Sequence, residues 1–94
     1  AVLTTAEEQQ NPFLLGYAAM MEASLGKFDS ALEKTDQLAQ HFEGQTVPKP
    51  YVVYGDIYLK KGEKEKAKEY VEKALALDEG NIDAQRLQKK LGNP

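Results

Sequence analysis

The chain has 94 residues, 41% hydrophobic and 29% charged, with a net charge of −3 and no cysteine. That length suits one domain with one modest core, and the balance is globular rather than disordered. Disulfide staples and thiolate zinc sites are excluded, no apolar run approaches the roughly 18 residues of a membrane span, and no secretory leader is visible. Cytoplasm and periplasm both stay open as compartments.

Residues 1–11, beginning AVLTTAEEQQ, carry a weak pattern and read as a tail or the end of a preceding helix. Asn11-Pro12 then reads as a helix start, with Asn as N-cap and Pro in the first turn. From Phe13 to Leu25 apolar residues are dense, which predicts a helix buried on more than one side. Gly26 stops it, because glycine accepts a left-handed C′ conformation. Asp29 is the expected cap of a second helix, with an inner face of Ala31, Leu32, Thr35, Leu38 and Ala39. This helix ends at about His41 or Phe42.

A Pro- and Gly-bearing connection, Glu43 to Pro50, follows. The third helix is expected over 51–60, opened by Pro50 and ended by Gly62. The fourth is expected over 64–77, with Ala67, Tyr70, Val71, Ala74, Leu75 and Leu77 inward. After Gly80-Asn81, a fifth over 82–91 places Ile82, Ala84, Leu87 and Leu91 on one face. No period-2 alternation marks a strand. The fold class is therefore all-α, about five helices in helix-turn-helix order.

Helix, short turn, helix, repeated, invites a search for a period. Gly26 and Gly62 lie 36 residues apart, and each precedes an alanine by five residues, Ala31 and Ala67. The second unit fills the positions of the pattern Trp-x2-Leu-Gly-x2-Tyr…Ala-x3-Phe…Pro with Tyr51, Tyr54, Gly55, Tyr58, Ala67, Val71 and Glu79. It resembles the tetratricopeptide repeat family. Gly55, Ala67 and Ala74 are then small because two helices cross there, and the large residues fill the gaps beside the crossing. Tyr in place of Trp and Leu adds hydroxyls that must reach water or a partner, and Glu79 replaces the closing Pro.

By the same anchors Leu15, Ala18, Ala19, Gly26, Phe28, Ala31 and Leu38 fit a first, divergent unit. Glu22 and Thr35 stand where aromatic residues are usual. The expected organisation is a tail at 1–11, a divergent repeat at 12–47, a repeat at 48–81, and a capping helix with the C-terminus at 82–94. Two repeats are few for a stable stack. The apolarity of the first helix therefore suggests a missing neighbour: another repeat, another domain or a second copy of this chain.

The resemblance implies a concave groove lined by the first helix of each repeat, receiving a peptide or helix. Its implied residues are Phe13, Met20, Lys49, Val52, Asp56, Leu59 and Lys60, with Gly16, Ala23 and Ser24 beside them. In a subgroup of the family, Lys and Asn residues clamp a chaperone's terminal carboxylate. Here Gly16, Met20 and Val53 occupy those places and only Lys49 matches, so no such clamp is expected.

Catalysis lacks its parts. His41 is the lone histidine, at a helix end. Ser24 and Ser30 have no organised base, and no Walker or Rossmann pattern occurs. No enzyme activity, cofactor or metal is expected. The lysines are interleaved with acids and have no aromatic platform, which argues against nucleic acid, and their spread over several helix faces argues against a membrane surface.

The expected function is a scaffold or adaptor that binds another protein or a peptide. The alternative is a structural or self-associating module, homodimer included, or an accessory C-terminal domain, since short repeat pairs resemble segments appended to larger bacterial enzymes. Ala1 does not read as a natural start while Gly92-Asn93-Pro94 reads as a natural end, which favours a C-terminal piece of a longer protein.

Overall fold

Among the described residues five helices form: α1 (Pro12–Ser24), α2 (Phe28–His41), α3 (Lys49–Lys61), α4 (Lys64–Leu77) and α5 (Ile82–Gly92). A computed structural model describes residues 12–42 and 46–92, apart from the side chains of Pro12 and Phe13. The expected Asn11 cap lies outside the described residues. Among the described residues there is no strand.

The two glycine stops work in the same way. Gly26 and Gly62 adopt φ of +82° and +90°, a region that costs other residues strain. Lys27 N–H then donates to Glu22 C=O at 2.8 Å, and Glu63 N–H donates to Tyr58 C=O at 2.9 Å. Each bond closes over the last helical turn and reverses the chain within three residues. Asp29 is not the cap of α2. The N-cap is Lys27, without a side-chain bond, and Asp29 lies in the first turn, where its charge still favours the helix dipole. The true side-chain cap is at α5, where Ala84 N–H donates to Asn81 Oδ1 at 2.9 Å.

Two clusters fill the interior and α3 belongs to both. Leu15, Ala19 and Ala23 of α1, Ala31 and Leu38 of α2, and Val53 and Ile57 of α3 form the first. Val52 of α3, Val71 and Ala74 of α4, and Ala84 and Leu87 of α5 form the second. Consecutive residues on a helix point about 100° apart, so Val52 and Val53 face different clusters. Thr35 is fully buried in place of an aromatic residue, and its hydroxyl donates to Ala31 C=O at 2.7 Å. Gly55 sits at the α3–α4 crossing. A Cβ there would come within 3.1 Å of Val71 Cγ2 and 3.5 Å of Leu87 Cδ1, so the absent side chain sets how closely the helices approach.

Three expectations about faces are corrected. The helix buried on two sides is α3, not α1, because α3 has a hairpin on one side and α4 with α5 on the other. Tyr17 and Met21 of α1, and Leu25 just after it, are exposed. Leu77 and Ile82 also face outward. They flank the α4–α5 turn at Asp78–Asn81, where the chain has left the packed crossing.

Candidate functional site: the α1–α3 surface

The expected groove residues do not all meet. Met20, Asp56 and Lys60 do, where the C-terminal halves of α1 and α3 lie side by side. Lys60 Nζ is 2.8 Å from Asp56 Oδ2 and donates to Met20 C=O at 3.3 Å. Asp56 is only 7% exposed, and its Oδ2 has no hydrogen bond of good geometry. The ion pair with Lys60, one helical turn away, is what offsets its burial. Met20 C=O also accepts from Ser24 Oγ at 3.1 Å. Lys60 thereby ties the two helices of the surface together.

Lys49 marks the other end, 11 residues or about 16 Å away along α3. Its stem crosses Gly16, where a Cβ would lie 3.3 Å from Lys49 Cε, and its Nζ sits 5.9 Å from the Tyr17 ring centroid. Leu59 is half-buried against the second cluster. Val52 is a correction: at 2% exposure it is core, because α5 and α4 close over the side of α3 that carries it. The Phe13 side chain lies outside the described residues. Val53, at a clamp position, is fully buried.

Two features escaped the sequence reading. The first is an aromatic stack. The Tyr70 ring lies 6.3, 4.8 and 5.6 Å from those of Tyr51, Tyr54 and Tyr58. Lys73 stands 5.2 Å from the Tyr70 centroid and Lys66 the same distance from Tyr58, close enough for cation–π attraction. The Tyr54 hydroxyl donates to Asp36 Oδ1 of α2, fastening the second hairpin to the first. The spacing 51, 54, 58 places three rings on one face, but nothing local shows that Tyr70 joins them from α4.

Burial, and then the Asp36 carboxylate beside it, push Tyr54 well above the ordinary phenol range; burial chiefly raises Tyr70 as well. A phenol whose pKa is raised on folding stabilises the fold below its unfolded value of about 10 and loses that contribution as pH rises past it. The unfolding midpoint is therefore expected to fall above about pH 10, and to fall less steeply in Tyr54→Phe. Thermal melts at several alkaline pH values check this; identical slopes in the two proteins would contradict it.

The second feature is an open cleft of about 390 Å³ between α4 and α5, lined by Lys64, Glu65, Lys68, Glu69, Glu72 and Leu91. Both charge signs alternate around it and only Leu91 is apolar. It reads as a solvated helix junction, away from the α1–α3 surface.

Glu22, at the position usual for an aromatic residue, pairs with Lys34 at 2.8 Å. Burial alone would raise its pKa; hydrogen bonds from Lys34 and Ser30 outweigh that and lower it.

Among the described residues no three His, Cys, Asp or Glu side chains gather as a metal site, and no helix is long and apolar enough to cross a membrane. His41 is exposed in the last turn of α2.

Comparison with known families matches residues 48–81 to the tetratricopeptide repeat. The match begins at Pro48, the N-cap of α3, and ends at Asn81, the cap of α5, so α3, α4 and the turn after them are the unit. No curated protein and no solved structure matches the chain. Tetratricopeptide repeats are in general protein–protein interaction modules.

Proposed function

We propose that this chain is a non-catalytic binding module that takes a peptide or helix of another protein along the α1–α3 surface. In this reading residues 12–47 act as a second, divergent repeat, and α5 caps the pair. The observation that carries it is the tetratricopeptide repeat at 48–81, whose first helix, α3, contributes Lys49, Asp56, Leu59 and Lys60. Supporting it, Lys60 bridges to Met20 of α1, so both helices present one surface.

The chemistry of that surface favours a segment with an apolar anchor and an acidic group. Met20 and Leu59 are half-buried apolar contacts, suited to an inserted side chain. Lys60 is already neutralised by Asp56, which leaves Lys49 to meet a partner's carboxylate.

The test is selection of binders from a displayed random-peptide library on the intact chain, followed by affinity measurements on two variants. Ser24→Arg places bulk at an exposed position beside Met20, and Lys49→Glu reverses the charge at the far end. Each is expected to weaken binding tenfold or more, about 1.4 kcal/mol, with the thermal midpoint unchanged. Peptides that bind both variants as well as the parent, or no selected peptide at all, would overturn the reading.

A further inference from the structure

The period of 36 residues superposes Tyr17 of α1 on Val53 of α3, and Met21 on Ile57. Val53 and Ile57 are completely buried, covered by α1 and α2. Tyr17 and Met21 hold the same places in their own hairpin, yet they are 65% and 66% exposed. Leu25 continues the row at 71%, held there by its N–H bond to Met21 C=O at 3.2 Å. The three stand one turn apart, so they form a single ridge about 12 Å long.

Charge decides what can cover it. The only charged side chain in α1 at neutral pH is Glu22, paired with Lys34 at 2.8 Å. Of the nearby cations, Lys49 lies over the Tyr17 ring. The opposite end of the molecule is different: α5 turns Asp83, Gln85, Arg86, Gln88, Lys89 and Lys90 outward. Head-to-tail stacking of copies would press that polar face onto the ridge and strip its water without giving it partners. Ridge against ridge meets no such cost. Two identical rows of residues one turn apart interdigitate about a two-fold axis, and the pairing closes at two copies.

We propose that the Tyr17–Met21–Leu25 ridge is a self-association surface, on which a second copy of this chain lays the same ridge. A standard interface buries about 800 Å² per partner. Three side chains about two-thirds exposed supply only part of that, so the dimer is weak and dependent on concentration. The proposal does not rest on the peptide-binding reading: Met20 and Met21, adjacent in α1, point about 100° apart, and assembly and peptide affinity are separate readouts.

Sedimentation equilibrium of the full chain from micromolar to millimolar concentration tests it, with Met21→Glu, Leu25→Glu and the control Ile82→Glu. All three positions are exposed, so the fold is unaffected, and circular dichroism checks this. The parent and Ile82→Glu are expected to rise from one chain mass toward two, while Met21→Glu and Leu25→Glu stay at one. A parent that stays at one throughout overturns the proposal and leaves the ridge to residues 1–11 or to a different protein. A dimer that survives Met21→Glu and Leu25→Glu, or that Ile82→Glu abolishes, overturns it as well by placing the contact elsewhere.

Discussion

Replacing Leu38 with alanine is expected to cost about 2–5 kcal/mol. Leu38 is fully buried in the cluster that α1, α2 and α3 share. Its Cδ2 lies 3.8 Å from where a Cβ on Gly16 would be. Gly16 has no side chain with which to fill the hole, and Ala19, Ala23 and Ala31 around the same cluster are too small to reach into it. The cavity therefore stays open, which places the cost toward the upper part of the range. A domain of this size has a total stability of roughly 5–14 kcal/mol, so the change removes a large share. Urea unfolding with an unchanged m-value would measure it. A loss under about 1 kcal/mol would contradict the shared cluster, since a leucine free to vacate its site costs no more than an ordinary surface change.

Val52→Ser is expected to cost about 2–4 kcal/mol, from lost apolar burial together with a buried hydroxyl. Pro48 C=O, one turn back, takes the Val52 N–H at 3.0 Å and has a second lone pair for the new hydroxyl, as Ala31 C=O has for Thr35, so the cost is chiefly the lost apolar burial. This prediction separates the two roles that position 52 could have. As groove surface, the serine would be harmless. As core between α3, α4 and α5, it is severe. The urea midpoint decides: a shift worth less than about 0.5 kcal/mol would return Val52 to the surface.

The helices were legible because their punctuation is local. Gly26 and Gly62 each end a helix through a left-handed residue, and Pro50 opens one. The bounds of α4, 64–77, follow from sequence alone, as does the likeness of residues 48–81 to the tetratricopeptide repeat. The second cluster was legible in part, since Ala67, Val71 and Ala74 fall at three- and four-residue spacings.

What was not legible depends on which helix neighbours which. The composition of α1 is more apolar than that of α3, yet α3 is the helix enclosed on two sides. Burial follows position in the stack, and α3 lies between the hairpin before it and the helices after it. Val52 went to the wrong class for the same reason, because no local pattern reveals that α5 folds back over it. The site was partly legible. Met20, Asp56 and Lys60 were named from the resemblance and lie together, but the bridge from Lys60 to the Met20 carbonyl is a tertiary contact across 40 residues. Tyr70 is placed inward by its spacing on α4, but its stacking on the tyrosines of α3 is a contact between helices that no local spacing reveals.

In the proposed function a partner lies along α1 and α3. Amide chemical-shift mapping of the isotope-labelled chain with a selected peptide tests it most directly. Perturbations are expected to concentrate at Met20, Ser24, Lys49, Asp56, Leu59 and Lys60. Perturbations concentrated instead at Lys68, Glu72 and Leu91, the walls of the α4–α5 cleft, would contradict it.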